Sequence, residues 1–297
     1  MTAAMARRRR KSAPDSSGPP ADVPEGLSVA LLQELHLLTR GGQLNADARR
    51  KLKQIQHLVR LLRPALEDLA ARHEAFTVVD CGAGKSYLGF LLYELLLAGP
   101  AEGPNPYAGA TVVAIESRPE LVTAARERRD RFGYERLRFL DTSIESAELP
   151  ERIHLVTALH ACDTATDDAL SLAILSEADH VAVVPCCQAE VARQLDKQDT
   201  EDALVALFGN AWHRREFGSH LTNVLRATIL EACGYRVTVT ELAGWEHTLK
   251  NELILGKRVK RYDPRAQERL RGLLERFPGV EPKLLRDLRE AGRDPLG

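Results

Sequence analysis

Asp80-Cys81-Gly82-Ala83-Gly84-Lys85 follows a short β-favouring run at residues 76–80 and precedes a helical stretch at residues 87–97. A strand that ends in glycines and opens a helix puts backbone N–H groups and a helix N-terminus at the carboxyl edge of a sheet, where open α/β proteins hold their ligands. Glycine is needed there because a Cβ would keep a ligand off the backbone. Two ligand classes fit this turn poorly. Gly84-Lys85-Ser86 matches the end of a P-loop, but the position where that motif needs its first glycine is Val79, and the loop is too short to wrap phosphates. In the dinucleotide fingerprint the third glycine falls on Tyr87, which would hold the helix off the strand.

Working outward, apolar runs at 111–115, 137–140, 154–159 and 180–184 alternate with helical stretches near 119–130, 167–175 and from 189 onward. Strands this apolar, alternating with helices, predict an α/β fold with a parallel sheet covered on both faces. The alternation then breaks. A helix at 223–232 reaches Gly234, and strands at 235–240 and 251–259 follow with only a turn and Trp245 between them. That connection is too short for a helical crossover, so the last pair is expected to be antiparallel. Before the glycine turn, residues 27–38 are leucine-rich. Residues 45–73 carry Leu52, Ile55, Val59, Leu62, Leu66 and Leu69 at helical spacing, with Pro64 placed to kink them. The expected organisation is a disordered basic tail at 1–25, a helical segment at 26–74, the α/β domain at 75–262 and a helical tail at 263–297.

Lys+Arg 41 against Asp+Glu 42 gives a formal net charge of -1, so the 297-residue chain as a whole does not advertise nucleic acid. Arg7-Arg8-Arg9-Arg10-Lys11 is a local exception, either a contact for RNA or another polyanion or a solvated tail. No stretch approaches the roughly 18 to 20 apolar residues of a membrane span, and no apolar segment follows the basic run as a secretory signal requires. The 5 cysteines are odd in number and sparse, which points to reduced thiols in the cytoplasm. Oligomeric state is not legible.

A third ligand class suits the turn. Methyltransferases carry an acidic-x-Gly-x-Gly sequence here, and Asp80, Gly82 and Gly84 satisfy it, with Lys85 next in line. A ribose-binding carboxylate belongs at the end of the second strand, where Glu116-Ser117 stands. The spacing from the glycines exceeds the usual ~20 residues because 99–110, rich in Gly, Pro and Ala, reads as an inserted loop. After the third strand, Asp141-Thr142-Ser143 stands where an adenine-contacting polar residue would lie, and also reads as a turn with a helix N-cap.

The fourth strand ends in Leu159-His160-Ala161-Cys162-Asp163 and the fifth in Val184-Pro185-Cys186-Cys187-Gln188. With Cys81, these bring four of the 5 cysteines to one edge of the sheet. Together with the glycine turn, these segments resemble a group of class I methyltransferases. The group includes bacterial enzymes, methyltransferase-like eukaryotic proteins, a glutathione S-transferase C-terminal domain-containing protein and a tRNA ribose methyltransferase. The resemblance spans about 76–259. It implies a Rossmann-like class I methyltransferase sheet with a terminal antiparallel strand, S-adenosylmethionine as cofactor, and RNA as the favoured substrate; the alternatives are protein methylation and a non-catalytic protein of this fold that binds RNA. Ser86 departs from the glycine often found at its position.

Within this crevice His160 is either a general base, since imidazole titrates near neutral pH, or a wall of the cofactor pocket. Asp163 either orients His160 or caps the helix that follows. Cys186 is either a thiolate that adds to a pyrimidine ring or a small pocket-lining side chain. His160, Cys162, Cys186 and Cys187 have the identities of zinc ligands, but adjacent cysteines diverge from a strand end, so no metal is expected. Trp212, His213, Arg214, Arg215 and His220 form either a base-stacking and phosphate-holding patch or a plain helix surface with one buried indole.

Overall fold

The computed structural model describes residues 23, 26–100, 103–159, 161, 163–185, 188–196, 203–242 and 251–297. Its centre is a 7-stranded sheet in the order β3-β2-β1-β4-β5-β7-β6. The strands are β1 (Phe76–Cys81), β2 (Ala110–Glu116), β3 (Leu137–Asp141), β4 (Leu155–Leu159), β5 (His180–Val184), β6 (Tyr235–Glu241) and β7 (Glu252–Arg258). The first five run parallel, and β7 pairs antiparallel with both β5 and β6. The expected class I methyltransferase architecture, a parallel sheet closed by an antiparallel strand, is the one that forms.

Alternation along each strand divides the core. Val78, Val112, Ala182 and Val184 face one apolar cluster, and their neighbours Val79, Val113, Val181 and Val183 face the other. The first cluster takes α1 (Val29–Glu34), α2 (Ala46–Arg72), α3 (Tyr87–Leu92) and α4 (Pro119–Phe132); the second takes α5 (Ala165–Leu175), α8 (Ala211–Ala232), α9 (Pro264–Arg276) and α10 (Lys283–Glu290). The N-terminal helices therefore share one core with the sheet: Leu58, Leu62 and Leu66 lie in the same cluster as Leu88, Phe90 and Val112. Asn45 caps α2 by accepting the Ala48 N–H at 2.7 Å, and Pro64 lies inside the helix.

One expectation is corrected. The helix expected at 223–232 begins at Ala211, preceded by α6 (Glu190–Leu195) and the short α7 (Val205–Phe208). Its first half has few apolar residues to mark the period and contains Gly218, a weak helix former. That glycine serves a close contact, for a Cβ there would stand 2.7 Å from the Cα of Ala192 on α6. The C-terminal tail is helical, in two helices separated at Phe277-Pro278-Gly279, where Gly279 takes φ +77°.

Candidate active site

The glycine turn is built from backbone first. Gly82 and Gly84 hold φ of +65° and +58°, the left-handed region that residues with a Cβ seldom occupy. Ser86 holds φ +54° without that freedom, at the position where glycine is often found in the resembling group. Gly89 makes the room for it, since a Cβ there would lie 2.6 Å from Ser86 Oγ.

Asp80 is an enclosed carboxyl, 3% exposed, and Thr157 Oγ1 on β4 donates to its Oδ1 at 2.9 Å. Burial pushes it up to about 7, with the Thr157 hydroxyl opposing the shift. The residue expected to face the cofactor instead joins the base of the turn to the neighbouring strand. Cys81 beside it is fully buried, and burial raises its thiol well above the ordinary range, so it is no thiolate.

Glu116 closes β2 directly opposite Asp141 of β3. Its Oε2 accepts from the Gly84 N–H at 2.7 Å and from Arg118 Nη2 at 3.1 Å; its Oε1 accepts from Arg118 Nε at 2.8 Å and the Arg118 N–H at 3.1 Å. Burial raises this carboxyl, but the Arg118 and Gly84 donors outweigh it and hold it below the usual carboxylate range. The carboxylate expected to stand open for ribose hydroxyls is thus already engaged, and a cofactor must share it with, or displace, the mostly exposed Arg118. Lys85, Ser117 and Asp141 are exposed, and Thr142 is half-buried with its N–H on Glu116 O at 3.2 Å. The glycines, Glu116, Asp141 and Thr142 therefore sit together at the carboxyl ends of β1, β2 and β3. This set suits S-adenosylmethionine, with positive-φ glycines that leave no Cβ in the cradle and a carboxylate anchored to the turn itself.

His160 and Cys186 lie outside the described residues, as do Cys162, Cys187 and Trp245. Ala161 is described, and its Cβ stands 3.7 Å from where a Cβ on Gly82 would be, so the loop after β4 lies against the glycine turn. Asp163 neither caps α5, whose N-cap is Thr164, nor has an ordinary backbone, since it takes φ +48°. Its Oδ1 accepts the Ala189 N–H at 3.1 Å, tying the loop after β4 to the loop after β5.

Between these loops and α8 opens a cavity of about 460 Å³, lined by Asp163, Pro185, Gln188, Ala189 and Glu252 and, from α8, by Arg215, Glu216, Ser219, His220 and Asn223. Beneath it Arg226 and Asp167 form an ion pair, each 1% exposed, with Nε to Oδ1 at 2.9 Å and Nη2 to Oδ2 at 2.6 Å. Burial raises the Asp167 carboxyl, and the guanidinium opposes it. Arg226 also donates to Asp163 O at 2.9 Å and Asn223 Oδ1 at 3.3 Å, so one buried cation fixes both the strained loop and the cavity floor. The sequence reading missed Thr157, Gln188, Asn223, Arg226 and Glu252. A lone arginine in the apolar run Leu221 to Leu230 was the signal for a buried pair.

Trp212 is 62% exposed at the start of α8, not a buried indole, and Arg215 stacks over its ring at 4.4 Å. At the opposite edge of the sheet His73, His154 and Asp179 bring their ligand atoms within 4.8 Å of one another. Their hydrogen bonds are not those of metal ligands. His154 Nδ1 accepts the Thr77 N–H at 3.1 Å, which leaves its proton on Nε2, and Asp179 is paired with Arg72 and Arg152.

Residues 50–194 match a family model described as a methyltransferase domain. Sheet order and glycine turn are those of the class I methyltransferase fold, and the region that matches the methyltransferase-domain model takes in all five parallel strands. The chain is also 24% identical over 237 residues to the glutathione S-transferase C-terminal domain-containing proteins of Homo sapiens and Macaca fascicularis, covering 72% of this chain and 34% of each of theirs. It thus spans about a third of the length of those curated relatives. Among solved structures, an rRNA methylase from Streptococcus thermophilus superposes with a TM-score of 0.42 at 11% identity, over 67% of this chain and 95% of that one. A SAM-dependent methyltransferase from Aquifex aeolicus does so with 0.36 at 15% identity, over 72% and 97%. Among the described residues, no helix is long and apolar enough to cross a membrane.

Proposed function

We infer that the chain is an S-adenosylmethionine-dependent methyltransferase of RNA, of the group marked by the Leu-His-Ala-Cys and Pro-Cys-Cys strand ends, and that it works in the cytoplasm. The observation that carries the RNA reading is the exposed Trp212 under Arg215, on the helix that lines the cavity. An indole left in water beside a guanidinium is a ready platform for an unpaired base, and such stacking is worth about 1–3 kcal/mol per base.

In this reading Gly82, Gly84, Lys85, Glu116, Ser117, Asp141 and Thr142 hold the cofactor, which when bound supplies a methyl group on a sulfonium. Asp80 is a positioning residue that acts through Thr157. His160 takes the acceptor's proton, and Asp163 keeps its loop against the loop after β5. Holding the acceptor in line with the methyl carbon supplies much of the barrier reduction.

Two measurements test this. Calorimetric titration with S-adenosylmethionine should show binding that Glu116→Ala weakens by about tenfold or more, the loss expected for a charged hydrogen-bond anchor; equal affinity in the variant would remove the cofactor assignment. Incubating the full chain with cell extract and methyl-labelled cofactor should give label that nuclease removes and protease does not. The reverse pattern would replace RNA by protein as the substrate.

A further inference from the structure

We propose that the cavity beyond β5 receives the exocyclic amine of an RNA nucleobase, and that this nitrogen is the methyl acceptor. The proposal rests on the RNA reading above and narrows it to one kind of atom.

The lining carries three carboxylates, Asp163, Glu216 and Glu252, against one guanidinium, Arg215, and that one is already paired with Glu216 at 2.9 Å. The neutral polar groups are turned on one another. Ser219 Oγ donates to Gln188 Oε1 at 3.1 Å, Gln188 Nε2 to Asn223 Oδ1 at 2.7 Å, and Asn223 Nδ2 to Glu252 Oε2 at 2.9 Å. Gln188 and Asn223 are buried, and Arg226 fixes Asn223 from below, so the chain is rigid. It leaves one acceptor unfilled: Glu252 Oε1 takes no hydrogen bond among the described residues, while Asp163 Oδ2 is ion-paired with Arg193 at 3.6 Å.

A rigid, negative, acceptor-rich wall complements N–H donors and repels phosphate. This separates the acceptor classes. A ribose hydroxyl arrives with a phosphate on either side and becomes more anionic as it loses its proton. An exocyclic amine arrives on a neutral base, at the end farthest from the phosphates. The reaction chemistry agrees. The amine lone pair forms the new N–C bond while the C–S pair returns to sulfur, leaving positive charge on nitrogen until its N–H proton passes to water. Carboxylates fixed beside that nitrogen stabilise the charge as it develops, without having to reorganise.

Two experiments decide it. RNA labelled by the full chain is digested to nucleosides, and the label is located. Label on an exocyclic nitrogen is the expected result; label on a ribose oxygen or a ring carbon overturns the proposal while leaving the RNA reading intact, and label in protein alone overturns both. Independently of turnover, binding of single nucleotides to the unmodified chain is measured by titration. One of AMP, CMP or GMP should bind about tenfold or more tightly than its N-dimethylated analogue, because a site built around N–H donors rejects a ligand lacking them. Glu252→Gln, which keeps an acceptor but loses the charge, should narrow that difference and lower kcat about tenfold or more with cofactor affinity unchanged. Equal binding of the amine and its dimethyl analogue, or an unchanged kcat in Glu252→Gln, overturns the proposal.

Discussion

A carboxyl as enclosed as Asp80, raised to about 7, binds its proton more tightly in the folded protein than in the unfolded chain. Its contribution to stability is therefore present below about pH 4 and lost as pH climbs through 7. Asp80→Asn keeps an oxygen to accept the Thr157 hydroxyl and removes the buried charge. The variant should be more stable than the parent by roughly 2–4 kcal/mol at pH 8, with the difference vanishing near pH 4. Thermal melts at both values check this, and an equal shift at both would show that charge is not the cause. The acid and the two glycines of this turn were legible because their chemistry is local in sequence. That Asp80 is closed off was not, because the closing group, Thr157, comes from another strand. Glu116 was likewise legible as a strand-end carboxylate, while its engagement by Arg118 depends on a side-chain conformation that strand position alone does not specify.

At the level of elements, α8 carries the exposed Trp212 and lines the cavity, yet its first half was the part of the fold least visible in sequence. Polar Trp212 to Glu216 hides the helical period, and Gly218 reads as a break. Its reason is the packing of α6 against α8, where a methyl group would meet the Ala192 backbone at 2.7 Å. Gly218→Ala should therefore lose about 1–3 kcal/mol, the cost of overpacking, despite alanine's better helix propensity. A denaturant midpoint that rises on this substitution would show that the contact yields. The parallel strands, by contrast, were read nearly to the residue, because strands buried on both faces have no polar positions to blur them.

Over the whole molecule, Asp68 of α2 accepts from His180 of β5 at 2.7 Å, Lys257 of β7 at 2.9 Å and Arg72 at 2.8 Å. It thus fastens the N-terminal helix to strands from the far end of the chain. Burial opposes ionisation here, but those donors win, and the Asp68 carboxyl lies below the ordinary range, as does that of Asp179 paired with Arg72 and Arg152. Lowered carboxylates stabilise the fold above the usual range and cease to do so as pH falls through their folded values. His180, lowered chiefly by burial, adds to the same acid sensitivity. Asp68→Asn should cost roughly 1.5–3 kcal/mol at pH 7, the worth of hydrogen bonds to a charged group, and less at pH 3. Melting midpoints that fall equally at both values would assign the loss to packing. This connection was not legible, since Asp68 reads as one more polar residue on an amphipathic helix and its partners on β5 and β7 lie over a hundred positions away.

The order of the sheet also has a consequence in time. Because β7 lies between β5 and β6, a chain emerging from the ribosome has its glycine turn and Glu116 long before the strand that brings Glu252 to the cavity. The matched methyltransferase region, residues 50–194, ends before α8 begins. A nascent chain released to that point holds the residues proposed for the cofactor but lacks the far wall of the cavity. On the proposed function, competence toward the acceptor arrives late in synthesis, when β7 slots in beside β5.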